Sequence, residues 1–160
     1  MTRTTSITTS FERHAAPRDS KLLCGNLLTI LASGEETGGR FAILELAIKH
    51  NLELPAHTHT REDEMVYVLE GKITFTIGGS EQTASAGSFV FLPRGIKHSW
   101  CVHDEQARVL MMFVPSGLEQ FFVQLSETLE GNNEMQPREA MTKMLALADE
   151  YGLIFPRQKS

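Results

Sequence analysis

The sequence has few of the features that mark membrane or nucleic-acid-binding proteins. Its longer apolar runs, such as residues 89–92 and 109–114, are far shorter than the ~20 residues that a membrane-spanning helix needs. Its 160 residues include 20 acidic and 15 basic side chains, and the net charge of −5 would repel a phosphate backbone. We therefore expect neither a membrane nor a nucleic acid as a partner.

Cysteine is also scarce. The two cysteines, Cys24 and Cys101, are too few for a disulfide scaffold and do not form a C-x-x-C motif.

The first ten residues include seven Ser or Thr and no apolar stretch that could act as a signal peptide. A reducing, cytoplasmic location is the expectation that follows.

Between residues 21 and 115 the sequence consists of short β-rich runs separated by turn residues. Alternation is clear in residues 72–77, where Ile73, Phe75 and Ile77 share one face. Several short strands without intervening helices are typical of a β-sandwich or barrel. The sequence therefore predicts an all-β domain, with strands at residues 27–31, 41–50, 65–69, 72–77, 88–92 and 108–114.

Two short helices are predicted after this domain, because the apolar period changes from two to about 3.6. Ser116 and Glu119 are spaced as a capping box, and Pro137 suits the first turn of the second helix. The apolar stripes consist of Leu118, Phe121, Phe122, Leu125 and Leu129 in the first helix and of Met141, Met144, Leu145 and Ala148 in the second. The predicted organisation is an arm at 1–20, a β-domain at 21–115 and a helical extension packed on it at 116–160. The arm is either flexible or an edge strand that orders on a partner.

The histidines at positions 57, 59 and 98 and the carboxylate of Glu64 form the strongest chemical pattern. On an extended chain His57 and His59 point to the same side, because side chains alternate along a strand. The polar residues 60–63 suit a turn that brings Glu64 back on the next strand. His98 follows a Pro-Arg-Gly turn and begins a further strand, so it is the natural fourth ligand of a metal ion.

Three imidazoles and one carboxylate suit a divalent transition metal ion: iron, manganese, nickel, cobalt, copper or zinc. An octahedral ion with four protein ligands would keep two positions for water, dioxygen or substrate, as a reactive site requires. The alternative is that these are ordinary surface or core histidines. The other three histidines, His14, His50 and His103, lack a comparable pattern and receive no role.

The segments that contain these ligands, residues 51–71 and 87–102, resemble the paired motifs of the cupin superfamily. The first, G-x5-H-x-H-x3-4-E-x6-G, corresponds here to Asn51, His57, His59, Glu64 and Gly71. The second, G-x5-P-x-G-x2-H-x3-N, corresponds to Gly87, Pro93, Gly95, His98 and Val102. The resemblance implies a cupin jelly-roll β-barrel or sandwich that holds one metal ion. Asn51 replaces a glycine and can adopt the same left-handed backbone, whereas Val102 removes the family's asparagine amide.

Further similarity, in residues 69–72 and in the C-terminal helices, is to single-domain bacterial cupins described as quercetin-dioxygenase-like. That resemblance implies a metal-bound, oxygenated substrate of enol or flavonol type, with Glu64 acting as metal ligand and catalytic general base. Other reactions on the same scaffold remain open, because one fold supports many activities. The alternatives are a non-catalytic metal-containing domain that binds a small molecule, and a metal-assisted isomerase, decarboxylase or hydrolase.

Strand parity predicts which side chains surround the ion. If Glu64 faces inward, Val66 and Val68 do so as well, and Phe75 on the next strand joins them. Additional candidates for the substrate pocket are Phe89, Phe91, Trp100, Met111 and Phe113. An apolar pocket favours an aromatic or aliphatic small molecule, although each of these side chains could instead fill the core. Tyr67 falls on the opposite face, where it serves sheet packing or an interface. A homodimer is expected, because exposed edge strands of small β-domains are commonly covered by a second copy.

Overall fold

A computed structural model describes residues 10–16, 20–129 and 137–156. The elements follow in the order β1 (Lys21–Leu23), β2 (Asn26–Ala32), β3 (Ala42–Lys49), β4 (Thr58–His59), β5 (Asp63–Glu70), β6 (Lys72–Ile77), β7 (Ser80–Ser85), β8 (Phe89–Leu92), β9 (His98–Val102), β10 (Gln106–Val114), α1 (Glu119–Leu129), α2 (Pro137–Glu150) and β11 (Leu153–Ile154). The predicted all-β architecture with two C-terminal helices is confirmed.

The largest sheet has six strands in the order β1-β2-β3-β10-β5-β8. Its pairings are antiparallel, and β10 lies between β3 and β5. Alternate residues of these strands are buried, as in β3, where Ala42, Leu44, Leu46 and Ile48 face the core. This sheet therefore has one dry face and one face that points outward.

Two smaller sheets complete the β-structure. One has three strands in the order β7-β6-β9, and the other pairs β11 with β4. Ile73 and Phe75 of β6 are fully buried and belong to the same core cluster as Val66 and Val109 of the large sheet. The sheets pack as a sandwich around this core, which fits the predicted jelly roll.

The helices pack on the β-domain through the predicted stripe of α1. Leu118, Phe121, Phe122 and Leu125 are buried in the common core. In α2 only Met144 and Ala148 are buried, whereas Met141 and Leu145 are exposed, so the predicted stripe of that helix was too wide. Helix α2 is thus held by a narrow apolar contact, and no helix in the described residues is long and apolar enough to cross a membrane.

Boundaries of the six predicted strands agree with the structure to within two residues, and the further strand expected to begin at His98 is β9. The other four strands, all short, were not predicted. Strand β7 is polar, and of its six residues only Ala84 is buried. Strands β4 and β11 have two residues each and β1 has three, too few to show alternation. These strands depend on their neighbours rather than on their own composition.

Most of the predicted N-terminal arm lies outside the described residues. In the described segment 10–16, Arg13 donates hydrogen bonds to the Glu36 carboxylate and to the Leu31 carbonyl. Hydrogen bonds to the Glu36 carboxylate from Arg13 and from the Ser33 amide and hydroxyl, together with the arginine charge, lower the pKa of Glu36 to about 2. This segment is therefore attached to the end of β2 and the loop that follows it. Residues 130–136 and 157–160 of the predicted extension are likewise outside the described residues.

Glu119 joins the start of α1 to the loop after β2. One carboxylate oxygen accepts a hydrogen bond from the Gly34 amide at 2.8 Å, and the other accepts one from the Gly117 amide at 2.7 Å. The predicted capping box would have directed this side chain to the Ser116 amide, which instead donates to the Gly39 carbonyl. A side chain at Gly34 would meet Ser116 and Glu119, so glycine permits this close approach.

Replacing Glu119 by alanine is expected to destabilise the protein. Loss of the buried carboxylate would leave two backbone amides without a hydrogen-bond acceptor, and each unpaired amide costs ~1–3 kcal/mol. We expect Glu119→Ala to lower the free energy of unfolding by about 2–4 kcal/mol in urea denaturation. The exposed Glu139, paired with Lys143, provides a control whose alanine variant should change stability by less than about 0.5 kcal/mol. Equal midpoints for the two variants would contradict this role of Glu119.

Candidate metal centre

Four side chains from separate parts of the fold converge between the sheets. His59 lies on β4, Glu64 on β5 and His98 at the start of β9, while His57 precedes β4. The backbones of His57 and His98 form an antiparallel bridge, in which each amide donates to the other residue's carbonyl at 3.0 and 2.9 Å. The first histidine of one segment is thereby fixed against the histidine of the other.

The ligating atoms of these residues all lie within 4.8 Å of one another. Nε2 of His57 is 3.1 Å from Nε2 of His59. The Glu64 Oε2 atom is 3.2 Å from Nε2 of His59 and 3.3 Å from Nε2 of His98. All four residues are buried. The predicted ligand set is thus assembled as one cluster that can hold a metal ion.

The donor set fits a transition metal ion better than it fits a hydrogen-bonded network. Nε2 of His98 is buried and makes no hydrogen bond within the described residues, although it lies close to Glu64. Metal–ligand bonds of about 2.1 Å at angles of 90–109° place neighbouring ligand atoms roughly 3.0–3.4 Å apart, the range of the three short contacts. One cation between the four atoms would satisfy all of them.

Backbone carbonyls orient two of the three rings. Nδ1 of His57 donates to the Pro55 carbonyl at 2.8 Å, and Nδ1 of His98 to the Ile96 carbonyl at 3.3 Å. With the proton held at Nδ1, the Nε2 lone pair points toward the other ligands. The Nδ1 atom of His59 has no hydrogen-bond partner in the described part of the chain. Its orientation must therefore come from the backbone and from packing.

Burial and neighbouring charges set the ionisation of the ligands. Burial, with the nearby His59 and His98, lowers the pKa of His57 to about 4. Burial alone would raise the pKa of Glu64, but the contacts and charges of His59 and His98 outweigh it and lower the pKa to about 2. At neutral pH His57 is uncharged and Glu64 is a carboxylate, which are the forms that bind metal ions.

A mostly apolar cavity adjoins the four ligands. Its wall includes the metal ligands His57, His59 and Glu64, and otherwise consists of Leu23, Cys24, Asn26, Leu46, Ile48, Leu52, Leu54, Trp100, Met111, Phe113 and Phe122. The six-stranded sheet supplies one side, Trp100 of β9 the other, and Phe122 of α1 closes part of it. The space next to the ligands is therefore suited to an apolar molecule.

Part of the predicted pocket lines the cavity, but not the part that strand parity gave. Trp100, Met111 and Phe113 lie on the cavity wall. Val66, Val68 and Phe75 are fully buried but away from that wall, so they take the alternative role of filling the core.

The predictions for Phe89 and Phe91 are wrong. Phe91 is 50% exposed and Phe89 is 63% exposed. Phe91 is the cross-strand partner of Met65, and Phe89 that of Tyr67, so both rings lie on the face opposite Glu64. The inward positions of β8 are Val90 and Leu92.

Several cavity residues were not predicted. Leu46 and Ile48 alternate with partly exposed residues of β3, and this alternation could have identified them. Phe122 approaches from α1 and Leu52 and Leu54 from a loop, which no periodicity in the β-domain would reveal. Glu62, predicted to lie in a polar turn, is buried, and burial raises the pKa of its carboxyl.

The two departures from the cupin motifs have local explanations. Asn51 has a φ of 65°, so it adopts the left-handed conformation expected of the residue that replaces glycine. At Val102 the backbone amide donates to the Glu53 carboxylate at 2.7 Å. The Val102 carbonyl accepts a hydrogen bond from Nδ1 of His50, a histidine with no predicted role. The end of β9 is therefore held without an asparagine side chain.

Comparison with known proteins agrees with this geometry. The model of the cupin domain family matches residues 45–113, a segment that holds all four ligands. Residues 45–113 are therefore a cupin domain. Quercetin 2,3-dioxygenase from Bacillus subtilis is 28% identical over 113 residues, which are 70% of this chain. The match spans only 34% of the length of that enzyme.

Solved structures share the fold of this cupin. An RmlC-like cupin from Shewanella frigidimarina superposes with a TM-score of 0.57 at 17% identity, covering 69% of this chain and 96% of that chain. KdgF from Halomonas sp. gives a TM-score of 0.54 at 19% identity, covering 60% of this chain and 84% of that chain. Such low identities support the fold and leave the reaction to the site itself.

Removal of single ligands is expected to lower metal content without unfolding the β-domain. We expect His59→Ala and His98→Ala to retain less than about a tenth of the bound metal, because each removes one of four ligands. Elemental analysis of protein purified without chelator measures the metal, and circular dichroism checks the fold. His103→Ala is the control, since that exposed ring contacts Thr74 away from the centre. Wild-type metal content in both ligand variants would refute the assignment.

Proposed function

We propose that this cupin is a metal-dependent dioxygenase acting on a small, enolizable organic substrate of apolar, aromatic or aliphatic, character. The observation that carries this proposal is the opening of a four-ligand cluster onto an apolar cavity. A structural metal site would be closed on all sides, whereas four protein ligands leave an octahedral ion free to bind further oxygen donors.

The cavity wall favours a substrate that binds through apolar contacts and one metal-directed oxygen. Among the described residues that line it, none is Lys or Arg, so a phosphorylated or multiply carboxylated ligand would find no counter-charge. Asn26 is already engaged, because its amide donates to the Leu52 carbonyl and its oxygen accepts the Lys49 amide. The remaining polar side-chain groups of the wall are the metal ligands, the Cys24 thiol and the indole N–H of Trp100.

The residues divide the chemistry between binding and proton transfer. A bound divalent ion would supply Lewis acidity toward the substrate oxygen and access to dioxygen. Glu64 is ionised, so its carboxylate can accept the enol proton as that oxygen binds. The enol supplies the electrons that reduce dioxygen, and both oxygen atoms end in the products, so no external reductant is needed. The similarity to quercetin 2,3-dioxygenase supports this reaction class.

A second candidate is a metal-containing binding domain without turnover. It is favoured by the absence of any carboxyl, imidazole or hydroxyl group on the described cavity wall beyond the metal ligands.

Oxygen uptake separates these functions. The protein is loaded in turn with iron, manganese, nickel, cobalt, copper or zinc, and oxygen consumption is followed with flavonols and other enolizable compounds. We expect uptake with at least one metal. Glu64→Gln should lower kcat at least about 100-fold while losing less metal than His98→Ala, since the amide keeps an oxygen ligand but cannot take the proton. Metal-loaded protein that retains a small molecule and consumes no oxygen would establish the binding function instead.

A further inference from the structure

The segment Gly152–Phe155, which we name the C-terminal clamp, lies against the first metal-binding segment. Its two-residue strand β11 pairs with β4, with Leu153 opposite His59 and Ile154 opposite Thr58. The clamp follows α2 and falls outside the matched cupin domain, residues 45–113. A segment distant in sequence thus forms the sheet partner of a metal ligand.

Hydrogen bonds extend this contact to the two residues after His59. The Gly152 carbonyl accepts two hydrogen bonds from Thr60, one from its amide at 3.0 Å and one from its hydroxyl at 2.7 Å. Arg61 donates to the Glu150 carbonyl at 2.9 Å. Gly152 has a φ of 71°, and a Cβ there would lie 2.4 Å from the Thr60 hydroxyl oxygen. Glycine is therefore required for this close approach.

The clamp also contacts a metal ligand by side-chain packing. The Phe155 ring lies 5.4 Å from the His57 ring, with an interplanar angle of 42°. Leu153 is buried in the core, whereas Ile154 is 56% exposed and points away. The two sides of the clamp thus differ, and one of them supports the ligands.

His59 is the ligand that most needs support from outside its own ring. Its Nδ1 atom has no hydrogen-bond partner in the described part of the chain, unlike Nδ1 of His57 and His98. The His59 carbonyl accepts a hydrogen bond from the Gly95 amide at 2.7 Å, and the His59 backbone pairs with Leu153 of β11. The His59 ring packs on Phe113.

We propose that the C-terminal clamp is a positioning element that orients His57 and His59 and thereby sets the metal affinity of the centre. This rests on the metal centre of the proposed function but not on its dioxygenase activity. Since β4 has only two residues, its geometry depends on β11, and loosening the clamp would spread the ligand atoms and weaken metal binding. Metal binding would protect the clamp amides in return.

Metal affinity and metal-free dynamics test the clamp together. Co²⁺ or Zn²⁺ affinity is measured by competition with a chromophoric chelator in wild type, Gly152→Ala, Phe155→Ala and Phe155→Leu. We expect Kd to rise at least tenfold in Gly152→Ala and Phe155→Ala and by less in Phe155→Leu, which keeps apolar volume. Ile154→Ala is the matched control, with Kd within twofold of wild type.

The second measurement uses the metal-free protein. Hydrogen exchange of the Thr60 amide should be at least tenfold faster in Gly152→Ala, and the imidazole NMR signals of His57 and His59 should shift more than those of His98. Unchanged affinity and unchanged exchange in the folded clamp variants would overturn the proposal. Metal binding without oxygen uptake in wild type would remove the dioxygenase and leave the clamp in place, whereas a wild type that binds no ion would refute both.

A separate observation concerns the outer face of the six-stranded sheet. Two rows of side chains cross four strands from β8 to β3, as set by the strand registers. One row consists of Phe91, Met65, Met112 and Ile43, and the other of Phe89, Tyr67, Leu110 and Glu45. Their aromatic rings are 43–63% exposed. We name this surface the aromatic face.

We further propose that the aromatic face binds a second copy of this chain. Its three rings alone present about 300 Å² of apolar surface, and a stable interface buries ~800 Å² per partner around such a centre. The ion pair Asp63–Arg94 lies at one end of the rows, and Arg108, paired with Glu45 and Glu70, lies at the other. This rim is nearly neutral although the chain carries −5, so two copies can approach without strong repulsion.

Light scattering coupled to size exclusion tests the aromatic face. We expect wild type to be a dimer at micromolar concentration and Phe89→Ser/Phe91→Ser to raise the dimer dissociation constant at least 100-fold. Leu22→Ser, at another exposed apolar side chain, is the control and should remain dimeric. A monomeric wild type would overturn the proposal and leave the face to another protein, and a dimer unaffected by the double substitution would place the interface elsewhere.

Discussion

The convergence of three imidazoles and one carboxylate inside an apolar core is the constraint on which the site depends. Burying these groups without a partner would be costly, and His98 has no hydrogen bond at Nε2 within the described residues. A cation held between these atoms would remove that penalty. The backbone bridge between His57 and His98 and the position of Glu64 on β5 hold the four groups at this spacing.

The two faces of the large sheet divide the remaining tasks. The inward face places Leu46, Met111 and Phe113 around the space next to the ligands. The outward face is the aromatic face, and its aromatic side chains are 43–63% exposed. The C-terminal clamp adds a contact from beyond the cupin domain to the segment that holds two ligands. Structure outside the family motifs therefore bears on the site that those motifs define.

Much of the fold and the candidate ligand set could be predicted, because both depend on the spacing of residues that are close together in the sequence. Residues 72–77 alternate so clearly that the strand was placed at its observed ends, and the H-x-H spacing put His57 and His59 on one side. Prediction of the pocket was less successful for a physical reason. Parity within a strand is a local property, but which face of β8 meets the core depends on its pairing with β5, and Phe89 and Phe91 proved to lie outside.

The sequence by itself determined six of the strand segments, the four candidate ligands and the left-handed turn at Asn51, because side-chain alternation and backbone preference act over a few residues. Only the tertiary structure decided that Val66 fills the core while Trp100 lines the cavity, that Glu62 is buried and that Phe155 packs on His57. Those outcomes depend on contacts between segments up to about a hundred residues apart, where many partners are compatible with the same local pattern.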